Sequence, residues 1–421
     1  MGLDAEYRGV VVEVQPATSD LLELGRRYWL PVYRPRDVIL ERGQGARVWD
    51  RDGRDYIDFG AGIAVNALGH CDPDLVAALT QQAGKLWHAS NVFYTEPPLR
   101  LAEELVRASG FAERVFLCNS GAEANEAAIK LVRKWAAANG RPPQRRVIVT
   151  FQGSFHGRTL ATVTATAQPK YQEGYEPLPG GFRYVAFNDA AALAEAFASG
   201  DVAAVLLEPI QGEGGVLPAA PGFLQQAREL CDRHDALLVL DEIQCGMGRT
   251  GSVFAHTQDG ITPDIVTLAK ALGCGFPIGA MLAGPKVADV MQFGAHGTTF
   301  GGNPMGAAVA RVALRKLASA EVLANVARQA QALRGGLAAI DAELALFEQV
   351  RGRGLMLGAV LADAYKGRAG DILEHAAANG LLLLQAGPDV LRFVPPLTLS
   401  DAECNEGLRR LHAALRDFRS V

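Results

Sequence analysis

Short apolar runs separated by amphipathic stretches dominate the middle of the chain. Runs at 114–118, 146–151, 202–207, 236–240 and 265–268 have strand length and are rich in Val, Ile and Leu. The intervening segments 122–138 and 221–234 repeat their apolar residues at helical spacing. This alternation predicts an α/β protein with a mostly parallel central sheet, covered on both faces by helices. Upstream, Val48-Trp49 and residues 56–59 flank Asp52-Gly53, which predicts two short strands around a turn. Beyond Asn303-Pro304 the pattern changes to long Ala/Leu/Arg-rich helices at 306–317 and 321–341, then strand-like pieces at 355–361, 381–385 and 390–394. The expected organisation is a loose extension at 1–20 and a large unit at 73–305. A smaller α+β unit would draw on both chain ends, 21–72 and 306–421. No internal repeat or low-complexity tract interrupts it.

Composition narrows the function classes. At 421 residues the chain is long enough for about two or three domains. Lys and Arg total 41 against 46 Asp and Glu, a net charge of −5, so no basic nucleic-acid footprint is expected. With 49% apolar and 21% charged residues, the chain has the make-up of a core-bearing protein rather than a disordered one. Its apolar runs are far shorter than the ~18 residues of a membrane span. Six cysteines (71, 118, 231, 245, 274 and 404) are scattered without a C-x-x-C pair, so buried thiols are expected rather than disulfides or a metal site. The first twenty residues carry Asp4, Glu6 and Glu13 and lack a basic-then-apolar leader pattern, so a cytoplasmic location is expected.

Residues 246–251, Gly-Met-Gly-Arg-Thr-Gly, match G-x-G-x-x-G after an apolar strand. A dinucleotide site needs a helix directly after the glycines, and 252–260 has no helical apolar stripe. A plain glycine-rich loop is the better reading.

Three other signals combine. Ser120 to Glu123 reads S-x-x-E between a strand and a helix: a capping box, or a helix N-terminus able to grip a phosphate. Asp241 closes a buried run, where α/β sheets place their ligands. Lys270 stands alone in an apolar segment, and a desolvated lysine becomes a nucleophilic amine. Pyridoxal phosphate chemistry needs these three together: a Schiff-base lysine, a carboxylate for the ring nitrogen and an anion cradle.

With those residues in view, the chain resembles the class III (subgroup II) aminotransferases, which have the type I pyridoxal phosphate-dependent transferase fold. The likeness is carried by Tyr56-Ile57-Asp58-Phe59, Ala67-Leu68-Gly69-His70, residues 119–126, Phe155-His156-Gly157-Arg158, residues 208–215, 241–251, 269–277, 296–304 and 392–396. These motifs run in order from about residue 24 to the C-terminus.

The resemblance implies pyridoxal 5′-phosphate as cofactor, held by Lys270 as a Schiff base, with Lys270 then moving the proton. It implies Asp241 at the pyridinium nitrogen, Gln244 at the ring hydroxyl, Phe155 stacked on the ring, and Ser120, Gly121 and Ala122 around the phosphate. Thr299 would reach the phosphate from a neighbouring subunit, giving a homodimer with shared sites. Arg158, with Thr298 nearby, would clamp the α-carboxylate of an N-acylated ornithine. Arg392 would bind the α-carboxylate of glutamate or 2-oxoglutarate in the other half-reaction, and Glu213 would pair with Arg392 and neutralise it when the ω-amine substrate is present, swinging aside for the dicarboxylate. The implied reaction is ping-pong transfer of the δ-amino group of N2-acetyl-L-ornithine to 2-oxoglutarate, in arginine biosynthesis. N-succinylornithine, ornithine, 4-aminobutyrate and N-succinyl-diaminopimelate stay open as amine donors. Two positions depart from the family pattern: Cys274 stands where Gly is usual, and Phe300 where many relatives have Tyr.

Overall fold

A computed structural model describes residues 17–420. Its centre is a seven-stranded sheet in the order Arg114–Cys118, Gly279–Ala283, Ile265–Leu268, Leu237–Asp241, Val202–Leu207, Val147–Phe151 and Phe182–Val185. Every neighbouring pair is parallel except those made by Gly279–Ala283, which runs against both of its neighbours. Six strands therefore point the same way, and the residues that follow them gather at one end.

The pleat explains why the central runs are apolar throughout rather than alternating. Ala204, Leu206, Leu237 and Val239 face Ala127, Ala128, Leu131 and Trp135 of the helix Gly121–Ala138. Their neighbours Val205, Leu207, Leu238 and Leu240 belong to the opposite core, with Leu224, Ala227 and Leu230 of the helix Phe223–Arg233. Both faces are covered, so both sets must be hydrophobic.

The two chain ends meet in a second sheet. Leu40–Gln44, Arg47–Asp50 and Asp55–Asp58 are joined by Leu381–Leu382, parallel to Asp55–Asp58. The apolar run expected as one strand over 381–385 is split: Leu384–Gln385 leaves that sheet and pairs with Val390–Phe393. This third sheet also holds Phe347–Arg353 and Met356–Leu361. Helices Ala320–Leu344, Ala369–Ala378 and Asp401–Arg419 accompany it.

Several strands carried too little pattern to be expected, the short Leu40–Gln44 among them. Gly279–Ala283 has small residues, Phe182–Val185 is a short sheet edge, and Phe347–Arg353 is largely polar. The extension expected over 1–20 lies outside the described residues up to residue 16, and its last residues enter a helix, Thr18–Tyr28. Five of the six cysteines are buried and Cys71 is exposed; none is disulfide-bonded. Among the described residues no helix is long and apolar enough to cross a membrane.

Candidate active site

The strand ends converge on a cavity of about 360 Å³ lined by Ser120, Gly121, Ala122, Phe155, Arg158, Glu208, Asp241, Gln244 and Lys270, among others. Eight of the expected site residues thus share one wall or another of the same space.

Lys270 follows the strand Ile265–Leu268 in a tight turn, with φ +41°, a left-handed conformation that costs a non-glycine residue energy. Burial and the Arg392 cation pull its pKa down, against the opposing pull of Glu213, Asp241 and Glu208. The environment thus shifts the amine toward its neutral, nucleophilic form.

Asp241 is the last residue of its strand and is 3% exposed. Oδ2 accepts from Asn125 Nδ2 at 2.7 Å and is 2.8 Å from His156 Nδ1, while Oδ1 accepts from Ile243 N at 3.1 Å. Asn125 is itself fixed by Thr267 Oγ1 and by the His156 carbonyl. Neither Asn125 nor His156 was a candidate from sequence, although both are buried polar residues amid apolar neighbours. His156 lies inside the Phe155–Arg158 motif.

Ser120 caps the helix Gly121–Ala138, its hydroxyl accepting from Glu123 N at 3.2 Å. The expected reciprocal bond differs: Glu123 reaches back past Ser120 to Asn119 N, at 2.6 Å. The N–H groups of Gly121 and Ala122 precede any intrahelical acceptor and stand at the positive end of the helix. The cradle leaves no room for side chains. A Cβ on Gly121 would lie 2.8 Å from Ile243 Cδ1, and one on Gly279 would lie 2.5 Å from the Ser120 carbonyl oxygen. An anion cradle, a nucleophilic lysine and a buried carboxylate held by two side-chain donors make a donor set that suits pyridoxal 5′-phosphate.

Arg158 is exposed, and its guanidinium lies 4.0 Å from the centre of the Tyr171 ring and 5.6 Å from that of Phe155. Tyr171 was not legible as a site residue, because it lies on a separate short helix, Pro169–Gln172. Glu208, also outside the candidates, is 5% exposed and accepts from Phe155 N at 2.9 Å and from Gly212 N at 3.1 Å. Burial, with Asp241 nearby, pushes its pKa up to about 7.

Glu213 and Arg392 form an ion pair, Oε1 to Nη1 at 2.5 Å, and the same nitrogen donates to Gln244 Oε1 at 3.1 Å. The remaining two candidates stand apart. Thr298 and Thr299 line a second cavity with His88, Asn91 and His296 rather than the one at Lys270. Thr298 Oγ1 accepts from Asn119 Nδ2, one residue before the cradle, at 3.0 Å. The G-x-G-x-x-G segment is followed by turns and a short 3-10 helix, Ala255–Asp259, as a plain loop would be.

Comparison with known proteins agrees over nearly the whole chain. Residues 31–415 match the family "Aminotransferase class-III". The chain is 76% identical over 391 residues to an acetylornithine aminotransferase of Xanthomonas campestris, covering 93% of this chain and 96% of that one. It is 52% identical over 389 residues to a succinylornithine transaminase of Yersinia enterocolitica, covering 91% and 94% respectively. The crystal structure of N-acetylornithine aminotransferase from Stenotrophomonas maltophilia superimposes with a TM-score of 0.85 at 64% identity, covering 95% of this chain and 99% of that one. The chain belongs to the class-III aminotransferases, enzymes of the type I fold that work with pyridoxal 5′-phosphate.

Proposed function

We propose that this protein transfers the δ-amino group of N2-acetyl-L-ornithine to 2-oxoglutarate, giving N-acetyl-L-glutamate 5-semialdehyde and L-glutamate, a step of arginine biosynthesis. The observation that carries the reading is the Glu213–Arg392 pair at 2.5 Å, joined through Gln244 to the Lys270 cavity, together with a second arginine, Arg158, that lines the cavity itself. Two substrates must share one cavity. One presents a single carboxylate far from its reacting amine, and the other presents two. Arg158 can take the lone carboxylate while Glu213 keeps Arg392 neutralised; with Glu213 moved aside, Arg392 takes the second carboxylate of the dicarboxylate. The 76% identity to an acetylornithine aminotransferase, against 52% to a succinylornithine transaminase, favours the acetyl group.

Bound pyridoxal 5′-phosphate supplies an electron sink that acidifies the carbon bearing the transferred amine. The chain's residues supply the rest. Lys270 Nζ would hold the cofactor covalently and, once freed, would take the proton from the substrate δ-carbon and deliver it to cofactor C4′. Asp241, fixed by Asn125 and His156, would keep the ring nitrogen protonated, and Gln244 would bond the ring hydroxyl. Phe155 would cover one ring face, and Ser120, Gly121 and Ala122 would hold the phosphate. The Arg158–Tyr171 stack orients the guanidinium that receives the α-carboxylate.

A homodimer with shared sites completes this reading. Trp87, Val92, Phe93, Tyr94 and Phe300 expose large apolar surface around the cavity that holds Thr299, a pattern that marks a protein–protein interface. A second copy seated there would bring Thr299 toward its partner's phosphate cradle. The reading places the enzyme in the cytoplasm.

The test is a single half-turnover of cofactor-loaded protein with N-acetylornithine, N-succinylornithine, ornithine or 4-aminobutyrate, followed as loss of the visible absorption band. Rapid conversion by N-acetylornithine ahead of the others is expected. Preference for N-succinylornithine would move the assignment to the catabolic relative, and conversion by ornithine or 4-aminobutyrate alone would refute the acylornithine reading.

A further inference from the structure

Arg249 sits in the glycine-rich loop 246–251, which the reaction described so far leaves without a role. Its side chain is wholly buried. Nη1 donates to the carbonyls of Leu355, at 3.1 Å, and Pro395, while among the described residues Nε and Nη2 have no partner. Among those residues no carboxylate offsets the charge, and burial pulls the pKa down to about 9. A buried cation without a countercharge is costly, and an apolar side chain of similar length such as Met would fill the space without that cost, so packing alone does not call for Arg here.

The two carbonyls lie just beyond the ends of two paired strands. Met356–Leu361 and Val390–Phe393 pair antiparallel, with Leu357 opposite Phe393 and Gly358 opposite Arg392. Continued two positions along the same register, Leu355 falls opposite Pro395. The guanidinium thus ties off the end of the ladder that carries Arg392. The backbone adds a second tie, since Leu355 N donates to the Arg249 carbonyl at 3.0 Å. Gly354 packs so close that a Cβ there would lie 2.6 Å from the same carbonyl oxygen. At its other end the loop begins with Asp241 and Gln244, and Gln244 accepts from Arg392 Nη1 at 3.1 Å. The strand of Arg392 is therefore anchored to the cofactor-facing loop at two places.

We infer that Arg249 is a positioning residue for the dicarboxylate half-reaction: by clamping Leu355 and Pro395 to the 241–251 loop it fixes where the Arg392 guanidinium stands relative to Lys270. The inference rests on the reading of Arg392 given above. Arg158 belongs to different loops, so the amine half-reaction is expected to be spared.

The experiment compares wild-type, Arg249→Met, Arg249→Lys and Arg392→Lys holoenzymes. It measures both half-reactions, the spectral titration with the unreactive dicarboxylate glutarate, and the thermal midpoint. Arg249→Met should fold and keep the cofactor band, with a thermal midpoint near wild type, the loss of two hydrogen bonds offsetting the removal of a buried lone charge. Its glutarate and 2-oxoglutarate affinities should fall by about tenfold or more, with the amine half-reaction within about twofold of wild type. Arg249→Lys, which keeps a cation and its donors, should recover part of the loss. Equal losses in both half-reactions, or no loss in either, would overturn the inference. If Arg249→Met does not fold, Arg249→Lys decides by the same criterion, a one-sided loss supporting the inference and a balanced one refuting it. If Arg392→Lys leaves dicarboxylate binding intact, the reading of Arg392 fails, and this inference fails with it for that separate reason.

Discussion

Arg392 Nη1 stands 2.5 Å from Glu213 Oε1 and 3.1 Å from Gln244 Oε1, so a nearly buried guanidinium has both a countercharge and a neutral acceptor. Glu213 keeps about a quarter of its side chain accessible, whereas Arg392 keeps 3%. The carboxylate is the partner with room to move. Replacing Glu213 by Gln leaves the cation unmasked beside a substrate that has no second carboxylate for it. The kcat/KM for the acylated amine donor should fall about tenfold or more, equivalent to about 1.4 kcal/mol, while the 2-oxoglutarate half-reaction holds or improves. Parallel losses in the two half-reactions would remove Glu213 from the switch.

Lys270→Ala should lose steady-state turnover by at least about a thousandfold, the scale of a lost general acid–base. The left-handed backbone at this position comes from the turn that follows the strand, and Ala is no more strained there than Lys. Circular dichroism and melting should therefore stay close to wild type. Retained turnover in the variant would sink the mechanism.

Tyr171 supports Arg158 from 4.0 Å below its guanidinium. A cation–π contact at an exposed site is worth about 0.5–1 kcal/mol, which is about two- to fivefold in binding. Tyr171→Leu should raise KM for the acylated amine by that factor and leave KM for 2-oxoglutarate alone. An unchanged amine KM would mean that Arg158 is oriented by something else.

Much of the sheet was legible because its runs are buried on both faces. Val202–Leu207 has six buried residues in a row, and no turn signal interrupts it. The same periodicity carried no information about Gly279–Ala283, whose small residues exist to let another chain segment approach. Lys270, Asp241 and Ser120 were legible because their chemistry is unusual for their surroundings. Asn125, His156 and Glu208 were not, because each acts through bonds to residues 31 to 142 positions away, a separation that only the fold closes. Tyr171 is illegible for the same reason: an exposed cation needs a face to rest on, and sequence does not say which loop provides it.

Gly279 is the sharpest test of the phosphate cradle. A Cβ there would meet the Ser120 carbonyl oxygen at 2.5 Å and Cys118 Sγ at 2.9 Å. The first is backbone and cannot rotate away, so Gly279→Ala must push Ser120 and with it the first turn of the helix proposed to hold the phosphate. Cofactor affinity, read by dialysis and reloading, should drop about tenfold or more. Wild-type reloading would show that the cradle lies elsewhere.

Glu208 offers a prediction about pH. Its folded pKa is raised from the usual 4.5 to about 7, by burial first and with Asp241 adding to it, while His156 opposes. Between those values the folded protein holds a proton that the unfolded chain has released. Stability from this group is therefore complete below about 4.5 and is lost as pH rises through about 7. For one proton the slope cannot exceed about 1.4 kcal/mol per pH unit. Glu208→Gln cannot titrate, and its amide can satisfy only one of the two N–H groups, from Phe155 and Gly212, that the carboxylate now accepts. The variant should start lower at acid pH and lose less stability as pH rises. Urea midpoints of both proteins from pH 5 to 8 decide the matter: the curves should converge toward pH 8, and parallel curves would show that Glu208 is already ionised throughout the range.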